Sequence, residues 1–150
     1  MIRAFVAAAA CLALVSAVGA QEAPAGVTYL KPSGGLPAGL PFSEGVAVGN
    51  LVVLSGQIGN VPGTLKLNNA TPDDEFRQVM DNVMATLKAN GLGPKNVVKC
   101  TVMLGDMKEW GAFNKVYATY FEAPYPARSA FGANGLAVGA RVEVECIAAK

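Results

Sequence analysis

VEVECIA, residues 142–148, alternates strictly. In an extended chain Val142, Val144 and Cys146 point to one side, and Glu143, Glu145 and Ile147 to the other. One face suits a core; the other carries two carboxylates. Just upstream, PYPARSAFGANGL (124–136) predicts another strand over 128–134, which Asn134-Gly135 separates from a last strand over 140–149. If these two strands form a hairpin, Arg128 and Glu143 both fall near its open end.

Working outward, WGAFNKVYATYF (110–121) sets Trp110, Phe113, Tyr117, Tyr120 and Phe121 along the inner face of a helix that starts at Asp106 and cannot pass Pro124. VVKCTVML (97–104) is predicted as a strand. Before it, Thr71-Pro72-Asp73-Asp74 announces another helix: Thr71 as cap, Pro72 at the first helical position, acids at the positive end of the dipole. Phe76, Val79, Met80, Val83 and Leu87 form its apolar stripe, and Asn90-Gly91 ends it. In GVAVGNLVVLSGQI (45–58) two β-branched runs flank Gly49-Asn50, a hairpin signal. VTYL (27–30) alternates like an edge strand, and KPSGGLPAGLP (31–41) is a loop. The order is β-β-β-α-β-α-β-β. This is a single α+β domain in which two one-sided helices cover one face of a mixed sheet. The other face, with Glu143 and Glu145, needs a lid, and a neighbouring subunit is the natural one.

The N-terminus reads differently. MIRAFVAAAACLALVSAVGA (1–20) has a basic start at Arg3, an apolar run from Phe5 to Val15 and a small-residue site at Val18-Gly19-Ala20. That is the pattern of a secretory signal. The run is too short for a membrane span, and Ala8-Ala9-Ala10 before Cys11 makes a poor lipoprotein signal. Cleavage after Ala20 is expected to leave a short tether, 21–26, a domain over 27–150, and a secreted or periplasmic protein with no membrane attachment. Without Arg3 the 12 basic residues become 11, matching 11 acidic ones. A neutral chain with no basic stripe argues against a nucleic-acid partner. The chain has no histidine, which excludes Ser-His-Asp and Cys-His mechanisms and imidazole metal ligands. Cys100 and Cys146 have no metal spacing; two buried free thiols are the plainer expectation, with a disulfide left open because alternation sets Cys146 with the valines and Cys100 with Val98 and Val102.

Arg128, after a proline and at a strand start, presents a planar fork able to grip a carboxylate with two hydrogen bonds. On residue types alone, pairing with Glu122 or solvation at the strand end is the plainer reading. Glu143 is a candidate to hold a water and accept its proton. Glu145 offers the same chemistry one alternation on, and either could be a plain exposed glutamate. Ser55 sits at a strand end before Gly56, where a turn role competes with ligand binding. Asn114 is read as a local cap, and the aromatic stripe around it as core.

Taken together, GNLVVLSGQIG, LKANGLGPKNVVKCTVMLGDMKEWGAFNKVYATYF and PYPARSAFGANGLAVGARVEVECIA resemble, in order and spacing, segments of the reactive-intermediate deaminase (Rid, or YjgF) family from about Val27 to Ala149. The resemblance implies a chorismate-mutase-like, YjgF-like fold and a homotrimer with clefts between subunits. It also implies hydrolysis of enamines and 2-imino acids to 2-keto acids and ammonia without a cofactor. Arg128 matches the family's carboxylate-binding arginine and Glu143 the glutamate that positions water; Ser55 and Gly56 match cleft-lining positions. Two positions depart from the family pattern: Phe42 stands where a tyrosine is common, and Ala130 where a cysteine is common. A non-catalytic trimer that binds small carboxylates or acts as a chaperone-like surface is the alternative. Endoribonuclease activity, also attached to the family, sits poorly with the neutral charge, the export signal and the absence of histidine.

Overall fold

The computed structural model describes residues 23–150. The expected signal, 1–20, and the first two residues of the tether lie outside the described residues. Seven strands and two helices follow. They are β1 (Val27–Tyr29), β2 (Gly45–Val48), β3 (Leu51–Leu54), β4 (Gln57–Ile58), α1 (Pro72–Ala89), β5 (Val97–Leu104), α2 (Trp110–Tyr117), β6 (Ala127–Gly132) and β7 (Val142–Ala149). Among them no helix is long and apolar enough to cross a membrane.

Local chemistry accounts for α1. Thr71 accepts the Asp74 N–H and the Asp74 carboxylate accepts the Thr71 N–H, a reciprocal cap around Pro72. At the other end Leu92 N–H reaches the Leu87 carbonyl and Gly91, at φ 73°, reaches that of Lys88. The stripe Phe76, Val79, Met80, Val83 and Leu87 is wholly buried. In α2, Phe113, Val116 and Tyr117 are buried, but Trp110 is 42% exposed and is not part of the core. The expected inner face is corrected there.

The sheet runs β1-β2-β3-β7-β5-β6, with β4 also pairing β7. The hairpin expected from the last two strands does not form, because β5 lies between β6 and β7. β6 pairs β5 in parallel because α2 carries the chain back over the sheet between them, and the long connection 133–141 lets β7 enter on β5's other side. β4 was not foreseen either. Val53 faces Ile147 and Gln57 faces Val144, so four steps along one strand match three along the other. The extra residue is a bulge at Ser55-Gly56. Beyond it, Gly59 admits close approach of α1: a Cβ there would lie 2.7 Å from the Glu75 carbonyl oxygen. Glu75 is buried, and its carboxylate accepts the Arg141 N–H at 2.6 Å, holding the start of β7.

Both helices cover the face bearing Val52, Leu54, Val102, Leu104, Val142 and Val144. On that face Cys100 and Cys146 are register partners on β5 and β7 and form a buried disulfide with Cα atoms 4.1 Å apart. The expectation of free thiols is overturned. Both side chains face the core, and a directly opposed antiparallel pair brings them within bonding reach. The opposite face is open. Tyr29, Val48, Leu51, Val53 and Phe131, each 48–54% exposed, lie on it with Glu143 and Glu145.

Candidate active site

Arg128 lies in register with Cys100, and Cys100 with Cys146, in one row across three strands. It therefore shares their helix-covered face, at the sheet edge. There α2 meets it. Arg128 Nη2 donates to Asn114 Oδ1 at 2.6 Å, and its Cζ lies 4.5 Å from the Tyr117 ring centroid and 5.9 Å from that of Trp110. Among the described residues the ion pairs are those of Arg141 with Glu75 and Glu109. Among the described residues Arg128 pairs with no carboxylate, Glu122 included. A half-buried guanidinium held by an amide and an aromatic ring, with no counter-ion, is suited to an incoming anion. Ala130, two residues on, packs its methyl against the core on the same face.

Glu143 lies on the open face, opposite Ile58 on β4 and Met103 on β5. Its carboxylate fills the space beside Gly56: a Cβ there would lie 2.8 Å from Glu143 Cδ and would overlap Oε1. Burial, and secondarily the charge of Glu145, raise its pKa above the ordinary 4.5. Ser55 Oγ donates to the Ser43 carbonyl at 2.6 Å, and Ser55 N–H to that of Glu44 at 3.0 Å. Ser55 thereby fixes the loop that displays Phe42, itself 53% exposed. The Ser55 proton is committed to Ser43; its oxygen remains an acceptor. Glu44 anchors the same loop from below by accepting from Ser33 N–H and Thr86 Oγ1 at 3.0 and 3.1 Å.

The six anticipated residues thus divide into two groups. Ser55, Gly56 and Glu143 meet at one end of the open face, and Phe42 projects from the loop that Ser55 holds. Arg128 and Ala130 belong to the helix-covered side of the edge strand β6. Within one chain Arg128 and Glu143 sit on opposite faces of the sheet, which corrects the expectation that they meet at the mouth of a shared hairpin. Sequence reading also missed the setting of Arg128. Asn114, expected to cap or bond locally, accepts from Arg128, and Tyr117, core as expected, also turns its ring to the guanidinium. Trp110, Asn114 and Tyr117 share one helical stripe by their i, i+4, i+7 spacing, a signal legible only once β6 is placed beneath it.

The close fit at Gly56 gives a test of this local geometry. Gly56→Ala is expected to push the Glu143 carboxylate aside at little cost in fold. The folded state would keep its stability to within about 1 kcal/mol. Whatever chemistry depends on Glu143 would fall, as thermal melts and turnover measured side by side would show.

Residues 35–150 match the family model described as Endoribonuclease L-PSP. This chain belongs to the Rid (YjgF, endoribonuclease L-PSP) family. Among its Rid-family relatives, Reactive Intermediate Deaminase A, chloroplastic, of Arabidopsis thaliana is 42% identical over 113 residues, covering 75% of this chain and 60% of that protein. The 2-iminobutanoate/2-iminopropanoate deaminase of Mus musculus is 41% identical over 108 residues, covering 72% of this chain and 80% of that one. The crystal structure of E. coli TdcF with bound serine superposes with a TM-score of 0.76 at 31% identity, covering 82% of this chain and 98% of that one. The α+β architecture with two helices on a mixed sheet is the Rid fold.

Proposed function

We propose that this chain hydrolyses 2-imino acids, and the enamines that tautomerise to them, to 2-keto acids and ammonia, in sites each completed by two copies of the chain. The observation that carries the reading is Arg128, a half-buried guanidinium that α2 holds in place and that has no carboxylate partner among the described residues. Its relatives of plant and mouse bear deaminase names, and the E. coli relative was crystallised with a small amino carboxylate.

In this reading Arg128 of one copy grips the substrate carboxylate through two N–H groups. Glu143 of a neighbouring copy holds a water against C2 and takes one of its protons as the C–O bond forms and the C=N π electrons move to nitrogen. Glu143 passes that proton to the carbinolamine nitrogen. The hydroxyl then gives its own proton back to Glu143 as the C=O bond forms and the C–N bond breaks. Ammonia leaves and carries that proton away as ammonium, and the keto acid remains. Gly56 leaves room for the carboxylate, and Phe42 and Ala130 line the substrate's side chain. The apolar open face supports association, since an exposed patch of five large side chains calls for cover. A closed trimer would cover it and set the edge strand of one copy beside the bulge of the next. Export fits the same picture: a buried disulfide belongs in an oxidising compartment, as the leader at 1–20 implies.

The test generates 2-iminobutanoate with an amino-acid oxidase and follows keto acid formation. Acceleration over buffer supports the reading. Keto acid binding without acceleration would replace it with a carboxylate-binding trimer. Glu143→Gln is expected to lower kcat about 10²–10⁴-fold while keto acid still binds. The pH profile carries a sign. Glu143 must be ionised to accept a proton, and its pKa is raised, so the acid limb of kcat/KM lies above 4.5 and activity falls as pH drops through it. Glu145→Gln removes the second cause of that rise and should move the limb to lower pH, read from profiles of both proteins.

A further inference from the structure

Arg128 carries a long, freely rotating side chain, and a two-pronged grip on a carboxylate is only as good as the alignment of its fork. The stripe Trp110, Asn114, Tyr117 supplies that alignment in three ways. Asn114 Oδ1 takes one N–H of Nη2, which sets the rotation of the guanidinium. The Tyr117 ring lies 4.5 Å from Cζ and fixes its height above the sheet. Trp110, 5.9 Å away and half-exposed, borders the guanidinium from the solvent side.

Tyr117 itself cannot swing away. It is buried, and its ring is wedged between Phe113 and Phe121, with centroids 5.9 and 4.8 Å off. Its hydroxyl is buried without a hydrogen-bond partner among the described residues. A buried, unmatched hydroxyl is unfavourable, so the contribution of this side chain lies in its ring. Burial raises the Tyr117 pKa and the Arg128 charge opposes that rise, as expected of a neutral phenol beside a cation.

We propose that Tyr117 is a positioning residue: its ring face, with Asn114 at the fork, holds Arg128 in the orientation that binds a substrate carboxylate, and Trp110 reports the arrival of that carboxylate. The inference rests on the reading of Arg128 as the carboxylate anchor. Trp110 is the single tryptophan of the chain, so its fluorescence is a local signal with no background from other indoles.

The experiment titrates 2-oxobutanoate into the mature protein and follows Trp110 emission, with melting temperatures and imino acid turnover measured on the same samples. The wild type should give a saturable change that Arg128→Ala abolishes. Tyr117→Leu should weaken binding about tenfold, the order of a desolvated cation–π contact, and raise KM more than it lowers kcat. Tyr117→Phe, which keeps the ring and removes the unmatched hydroxyl, should restore most of the affinity. If Tyr117→Leu does not fold, Tyr117→Met fills the same volume without an aromatic face and should show the same loss. Tyr117→Leu or Tyr117→Met binding with wild-type affinity, whatever its melting temperature, would overturn the inference and leave Tyr117 as core. A wild type that binds keto acid but does not turn over imines would sink the deaminase reading while the positioning role stands. Failure of the wild type to bind keto acid at all would overturn both.

Discussion

Replacing Arg128 with alanine is expected to lower kcat/KM for a 2-imino acid roughly 10²–10³-fold, the loss typical when one partner of a hydrogen-bonded charge pair is removed. The loss should fall mainly on KM and on keto acid affinity, because the guanidinium grips the part of the molecule that does not react. Melting should change little. Arg128 makes one hydrogen bond to Asn114 and one close ring contact, and no ion pair. Arg128→Lys should recover only part of the affinity, since an ammonium keeps the charge but not the planar fork. Steady-state kinetics paired with calorimetry on the three proteins checks each part. Equal KM in wild type and Arg128→Ala would remove the anchor.

The second large effect concerns stability. The Cys100–Cys146 bridge closes a loop between residues 46 apart. Removing it is expected to cost about 4 kcal/mol through the entropy returned to the unfolded chain, a fall in melting temperature of about 10–20 °C for a domain of this size. Cys146→Ala, or protein refolded with its thiols reduced, should show it in thermal melts. Both cysteines are buried. Native protein should therefore resist reductant, and thiols should become titratable only after denaturation with reductant present. Titratable thiols without reductant would return the pair to the free state expected of two buried cysteines.

The reasons for success and failure in reading the sequence are physical. The first helix was legible in detail because its signals are local: Thr71, Pro72, Asp74 and Gly91 act on backbone groups a few residues away. The Gly49-Asn50 turn was legible for the same reason, with Val48 facing Leu51 across it. The alternation in 142–148 correctly placed Cys146 and the valines inward and Glu143 outward. Strand neighbours are another matter. Asn134-Gly135 looks like a hairpin turn, yet the parallel crossover through α2 places β6 beside β5 and separates it from β7. Nothing near residue 134 carries that information. The sequence could not choose the disulfide over free thiols because the opposition of Cys100 and Cys146 is a long-range register. So was the division of the candidate site, because the face on which Arg128 lies is set by its pairing with Cys100. Arg128, Glu143 and Ser55 stand out by residue type and strand position, and the resemblance implies their roles and adds Gly56, Phe42 and Ala130; the separation of Arg128 from Glu143 within a chain comes from topology.

That separation makes the central claim directly testable. Arg128→Ala and Glu143→Gln chains, carrying different tags, are co-expressed, and oligomers bearing both tags are purified and assayed with 2-iminobutanoate beside each variant alone. If every site takes Arg128 from one copy and Glu143 from the next, two inactive chains restore activity together, up to about a third of the wild-type rate, because each mixed closed trimer has one site with both groups intact. Mixed oligomers as inactive as either parent would show that no site is shared, and the account of how this fold performs its chemistry would fail.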